Sequence, residues 1–194
     1  ATTGLKEDVS STLGQHFAGT KYSDLPPEAV VTVKKSVLDT LGVSIAASSL
    51  AAGGRELAEL AQEGGGKEES TLLVFGGRVP VWMAALVNGG LAHGLDFDDI
   101  YHEGPSHPSG AIIPAALAVA ERRAPTSGKD FITAVALGHD MLLRMTFALH
   151  GEVDLLGIWL SFPLIGVFAT AASCGKLLGL EPGRIQAAIS IALA

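Results

Sequence analysis

Apolar residues recur at helical spacing through nearly the whole chain, and the residues that fill the pattern are small. "AVALGHDMLLRM", "FATAASCGKLLGL" and "IQAAISIALA" are representative. The chain of 194 residues is 48% hydrophobic but only 6% aromatic, with 24 glycines, so Ala, Leu, Val and Ile supply the apolar surface. A 3.6-residue apolar period selects helices, and small side chains let their backbones approach closely. The expected fold class is therefore all-α. The only β element expected is a short hairpin near residues 71–80, where "STLLVFGGRVP" alternates around Gly76-Gly77.

Punctuation divides the pattern into segments. A first helix ends at Gly19. A second opens at Pro26-Pro27 with Glu28 in its first turn, where the helix dipole favours an acid, and Val30, Val33, Val37, Leu38 and Leu41 form its expected apolar face. "GGRELAELAQEGGG" is a short helix bounded by glycines. Val81 to His93 follows, with Met83, Leu86, Val87 and Leu91 on one side, and Asn88 and Gly89-Gly90 predict contact with another backbone. A helix begins near Ser109 or restarts at Pro114 and runs to about Arg123. The next is capped by Thr126 or Ser127 and carries Asp140 and Arg144 as an i,i+4 pair. Two more helices are expected, Trp159 to Leu178 and Glu181 onward. The last has no C-cap signal, so continuation of the natural chain is expected.

Composition excludes several function classes. A net charge of −7 without a Lys/Arg stripe argues against nucleic acid. One cysteine, Cys174, leaves no internal disulfide and suits a reducing compartment, and its small-residue helical context predicts a buried apolar filler. The uncharged stretch Leu155 to Gly175 is long enough to cross a bilayer. However, Pro163, Gly157 and Gly166 interrupt it and no aromatic belt flanks it, so a buried core helix is expected rather than a membrane span. The first residues lack the basic start and apolar run of a signal peptide, which predicts a cytoplasmic location or another reducing compartment such as the mitochondrial matrix.

Against this background "GLAHGLDFDDIYHEGPSHPSGAIIPA" is anomalous, with three aspartates and three histidines between His93 and His107. Read as the end of a helix, His93, Asp96 and Asp99 share a face at i,i+3, and Asp98 and His102 pair at i,i+4. His107 stands after the Gly104-Pro105 break, just before a helix start whose free N–H groups attract anions. Acids on one side of a turn, and an anion seat with a histidine on the other, are the elements of proton transfer on an anionic substrate.

Competing readings follow from the same residues. The aspartates are also good helix caps and loop acceptors. Asp and His are legitimate metal ligands, but H-x-x-D-x-D-D-x-x-H resembles no standard zinc or calcium loop, and no metal is expected. His16, His139 and His150 stand alone and read as structural or solvent-facing. No G-x-S-x-G elbow supports a serine hydrolase, and Ser106 and Ser109 read as turn and cap residues.

Four stretches, taken together and in order, resemble the MmgE/PrpD family, which includes 2-methylcitrate dehydratases and cis-aconitate decarboxylases. They are "DLPPEAVVTVKKSVLDTLGVSIAA", "ALVNGGLAHGLDFDDIYHEGPSHPSGAIIPAALAVAE", "AVALGHDMLLRM" and "FATAASCGKLLGLEPGRIQAAISIA". The second is highly specific. The resemblance implies that residues 1–194 are the N-terminal part of a helical domain, with a C-terminal lid domain absent from this chain. It implies a homodimer and metal-free, cofactor-free dehydration, decarboxylation or isomerisation of a small di- or tricarboxylate. By position, Asp96 and His107 map to the family's active-site acid and histidine, with His102 as a further catalytic candidate and Asp99, Ser109 and His93 assigned to substrate binding. An inactive helical scaffold or dimerisation module is the alternative. Two departures stand out. Ile100 replaces a small hydroxyl residue common after the paired aspartates. Trp159, Leu160 or Ser161 stands where members carry a histidine in G-[WF]-H-x-[ST]. The family's active-site lysine falls beyond Ala194.

Overall fold

The computed structural model describes residues 8–101, 106–148 and 158–192, with backbone alone over 158–163. Its described residues form eight α-helices and one two-stranded hairpin. In chain order these are α1 (Val9–Gly19), α2 (Pro27–Leu50), α3 (Gly54–Glu63), β1 (Ser70–Thr71), β2 (Arg78–Val79), α4 (Val81–His93), α5 (Pro108–Arg122), α6 (Gly128–Ala148), α7 (Ile158–Leu177) and α8 (Pro182–Ile191). The all-α expectation holds. The hairpin is antiparallel, pairing Ser70 with Val79 and Thr71 with Arg78, one residue earlier than the sequence pattern placed it.

Local chemistry sets most helix limits. The Asp8 carboxylate accepts the Ser10 N–H and starts α1. Ser127 Oγ accepts the Asp130 N–H at 3.1 Å and donates to its carboxylate at 2.8 Å, opening α6. Two C-termini are closed by cations from elsewhere. Lys176 of α7 donates to the carbonyls of Ala18 and Thr20 at 2.9 and 2.7 Å, ending α1. Arg123 donates to the Leu177 carbonyl, ending α7 just before Gly179 takes a left-handed φ of +67°.

Two apolar clusters share α5. One joins α1, α2, α5, α6, α7 and α8 around Phe17, Val33, Ile112, Ile113, Leu142 and Ile185. The other packs α3 and the hairpin against α2, α4 and α5 around Leu72, Val79, Val87, Leu91 and Ala118. Small residues set the crossings. A Cβ on Gly138 of α6 would stand 3.0 Å from Ile112 of α5 and 3.2 Å from Ser173 of α7. One on Gly89 of α4 would meet the Gly110 carbonyl of α5 at 3.6 Å, the backbone contact expected of the Asn88-Gly89-Gly90 run. Asn88 itself is buried; it accepts the Leu73 N–H and donates to the Thr71 carbonyl, fixing the hairpin on α4.

Some expected faces are different. On α2 the buried side is Val33, Ser36, Thr40, Ser44 and Ala47, and Leu38 is exposed. The hydroxyls of Thr40 and Ser44 bury cheaply because each donates to the carbonyl four residues back, so the hydroxyl stripe faces inward and the bulky residues are left outside. On α4 Leu86 is exposed, and Ala84 and Ala92 pack inward beside Val87 and Leu91. α6 is long and apolar enough to cross a membrane, but half of its most apolar window is buried inside the domain. In the described part of α7, Ile165, Ala169, Ala172 and Leu177 are buried, as a core helix requires. Burial pushes the Cys174 thiol up to about 11, consistent with an inert filler.

Candidate active site

The α4–α5 crossing brings the titratable residues together. α4 ends at His93, so residues 94–100 are not helical and the i,i+3 relation expected of His93, Asp96 and Asp99 does not arise, while the expected Asp98–His102 pair reaches outside the described residues. Asp96 instead takes a left-handed φ of 56°, its N–H donating to the His93 carbonyl. An antiparallel bridge between Tyr101 and Ser106 returns the chain to α5, with the Tyr101 N–H donating to the Ser106 carbonyl at 3.0 Å. His102, Gly104 and Pro105 lie outside the described residues, as does His150.

The loop is inverted relative to ordinary burial. Phe97 is 74% exposed and Ile100 54%, while Asp98 between them is only 5% exposed. The Asp98 carboxylate is hydrogen-bonded by His93 and lies at ion-pair distance from His107, whose Nδ1 does not meet it at hydrogen-bonding angles. His93 Nδ1 lies 2.9 Å from its Oδ1 and 3.1 Å from Oδ2, and His107 Nδ1 lies 3.3 Å from Oδ1. The other face of the His107 ring approaches Asp96, with Nε2 3.5 Å from Oδ1, closer than a shared ligand alone would require. The two imidazole rings stand edge to face, 5.0 Å apart. His107 thus sits between a buried acid and a solvent-exposed one. One donor atom from each of His93, Asp96, Asp98 and His107 falls within 4.8 Å of the others, so the geometry by itself would also admit a cation.

Gly110 makes this arrangement possible. A Cβ there would lie 2.7 Å from Asp98 Oδ2, so the glycine of "HPSG" leaves the space that the carboxylate fills.

Asp99 turns the other way. Its Oδ1 accepts the Ser109 N–H at 3.1 Å, and its Oδ2 accepts the hydroxyls of Ser109 at 2.6 Å and Ser36 at 3.2 Å. The anion at the N-terminus of α5 is therefore the chain's own Asp99. Pro108 has no N–H to offer, and that of Ser109 is taken. The anion seat read from the sequence is filled from within, and Asp99 and Ser109 are brought together as a cap. Neighbouring Asp39 on α2 has its carboxyl pushed up, first by partial burial and then by the charges of Asp99 and Asp98.

Two residues of this network escaped the sequence reading. The spacing offers Asp98 only His102 as a partner and gives no sign of its place between His93 and His107. His139, read as isolated, is buried on α6 with Nε2 3.3 Å from Ser109 Oγ; burial lowers its pKa to about 4, opposed by the Asp99 charge. No spacing rule links positions 30 apart on different helices. Among the described residues, no lysine or arginine forms an ion pair with Asp96 or Asp98.

A histidine between two carboxylates, in a largely helical frame, is an arrangement chemically able to move a proton. The family comparison is decisive on lineage: the model of the MmgE/PrpD N-terminal domain matches residues 11–194, and the chain belongs to that family. It is 27% identical to the cis-aconitate decarboxylase-like protein oryM of Aspergillus oryzae, covering 95% of this chain and 39% of that protein. It is 28% identical to human cis-aconitate decarboxylase, covering 97% of this chain and 40% of that protein. The match to the Aspergillus terreus cis-aconitate decarboxylase is 31% identical over 61% of this chain and 25% of that protein. The chain thus spans about two-fifths of the length of the first two relatives.

Proposed function

We propose that this chain carries the proton-transfer half of a decarboxylase acting on a small tricarboxylate such as cis-aconitate. The observation that carries the reading is the placement of His107, 3.5 Å from the exposed Asp96 and 3.3 Å from the buried Asp98. Loss of CO₂ from a carboxylate one saturated carbon away from a double bond breaks that C–C bond and leaves its electron pair as an allylic carbanion, delocalised towards a conjugated carboxylate, that must be protonated at carbon. The His107 ring, with Nε2 beside the exposed Asp96, is placed to deliver that proton, and the Asp98 carboxylate close to Nδ1 offsets the charge that changes on it. The step needs no metal. It does need further cations to hold the remaining carboxylates, and among the described residues no lysine or arginine is paired with Asp96 or Asp98. Those cations would come from further segments of the intact protein or from a second subunit in a homodimer.

The test is turnover of cis-aconitate by the intact protein, followed by NMR of the product and by CO₂ release. His107→Gln and Asp96→Asn should each lower kcat by about 10²-fold or more, the scale of a lost general acid or its partner. Wild-type turnover by both variants would sink the assignment. Turnover of 2-methylcitrate in place of cis-aconitate would move the reading to dehydration.

A further inference from the structure

We infer that His139 is a positioning residue for this acid–base cluster, acting through Ser109 and Asp99. The inference rests on the proton-transfer reading above but is argued from three helices. Ser109 has one hydroxyl proton, and its 2.6 Å contact commits that proton to the Asp99 carboxylate. The contact from His139 Nε2 at 3.3 Å is then a hydrogen bond only if Nε2 carries the proton and donates to Ser109 Oγ. His139 is therefore the neutral Nε2–H tautomer, as its burial also demands. The direction of the chain is fixed: His139 donates to Ser109, Ser109 donates to Asp99, and Asp99 also accepts from Ser36 and from the Ser109 backbone.

This order has a geometric result. Asp99 is the residue after Asp98, and Ser109 is two residues after His107. Locking Asp99 onto Ser109 sets how far the exit of α4 stands from the entry of α5. That separation is the distance across which His93 and Asp98 meet His107. α6 supplies His139 and α2 supplies Ser36, and each reaches the cluster through Ser109 or Asp99. The carboxylates of Asp99, Asp98 and Asp39 gather at this relay, with the Asp99 charge acting on His139 and those of Asp99 and Asp98 acting on Asp39.

The experiment compares His139→Gln, which keeps an N–H donor, with His139→Leu, which fills the space without one. In the intact protein His139→Leu should lower kcat at least 10-fold with KM changed less than about 3-fold, and His139→Gln should stay within about 3-fold of wild type. A misplacement of this kind acts on the reacting geometry rather than on binding. A purely structural role would lower both variants' folded fraction and leave kcat per folded molecule unchanged, which overturns the inference. A readout independent of turnover is amide hydrogen exchange at Ser109. It should be at least 10-fold faster in His139→Leu than in wild type or His139→Gln, with the α6 interior amides unchanged. Equal exchange in all three also overturns it. Should His139→Leu fail to fold, Ser109→Ala cuts the same relay from the other end and should lower kcat at least 10-fold; wild-type kcat there is a third refuting result. If the intact protein does not turn over cis-aconitate, the substrate reading fails while the exchange arm still decides the role of His139.

Discussion

Gly110→Ala is the sharpest test of how the site is built. The added methyl would lie 2.7 Å from Asp98 Oδ2, against about 3.3 Å for the closest comfortable carbon–oxygen approach. The carboxylate must retreat by roughly 0.6 Å or more. Its bonds to His93, now 2.9 and 3.1 Å, and its 3.3 Å contact with His107 have little slack, because hydrogen bonds weaken beyond about 3.2 Å. Overpacking a buried site costs about 1–3 kcal/mol, and Gly→Ala inside a helix returns about 1 kcal/mol. The net destabilisation is about 1 kcal/mol, or a fall in Tm of about 2–4 °C for a chain of this size. Turnover should suffer far more, by about 10²-fold, since displacement of the acid–base groups by a fraction of an ångström is what catalysis tolerates least. Gly42→Ala is the control. Gly42 is exposed in the middle of α2 with nothing within 4 Å of its would-be Cβ, so it should gain about 0.5–1 kcal/mol and leave kcat unchanged. Thermal melts by circular dichroism and steady-state kinetics on both variants decide the matter. If Gly110→Ala melts higher, like Gly42→Ala, and turns over normally, the space around Asp98 is not what requires glycine.

Other expectations follow from the same geometry. Asp98→Asn keeps the shape but loses the charge between two imidazoles; it should cost about 1–3 kcal/mol in urea unfolding and at least 10²-fold in kcat, and a silent phenotype would remove Asp98 from the centre of the site. The folded-state pKa of His139, about 4, lies below its unfolded value of about 6.5, so the unfolded chain binds the proton more readily. Stability from neutral His139 is therefore fully present above about pH 6.5 and lost as pH falls toward 4, by about 3 kcal/mol across that window. His139→Gln should flatten that slope in denaturant titrations between pH 7 and 4.5, and an unchanged slope would contradict it. Prolonged chelation should leave turnover by the intact protein intact, and stoichiometric transition metal in elemental analysis, with activity lost on its removal, would convert the four-residue cluster into a metal centre.

The helices were legible because each depends on local signals. The Pro26-Pro27 start, the Ser127 cap and the Asp140–Arg144 pair, 2.8 Å apart, are all fixed within four residues of sequence. The meeting of Asp96 with His107 was legible too, since both flank one short return of the chain. What was not legible is which side of the loop faces inward. Ordinary hydrophobicity puts Phe97 inside and Asp98 outside, and the structure does the reverse because two imidazoles satisfy the acid. On α2 the same logic misled, since Leu38 looks like core and Ser44 does not until the serine hydroxyl finds the carbonyl of Thr40. His139 and Ser109 meet only through the crossing of α5 and α6, a relation that no local pattern encodes.

The capture of the α5 N-terminus by Asp99 has a consequence for how substrate selectivity is distributed. The Ser109 N–H, which would ordinarily face a carboxylate from solution, is committed to Asp99, so the proposed reaction draws proton traffic and much of its anion recognition from separate pieces of protein. The two are then free to vary independently. Exchanging the cation-bearing remainder between relatives should change which acid is accepted while the His107 chemistry stays the same, making this helical segment a portable module for proton delivery.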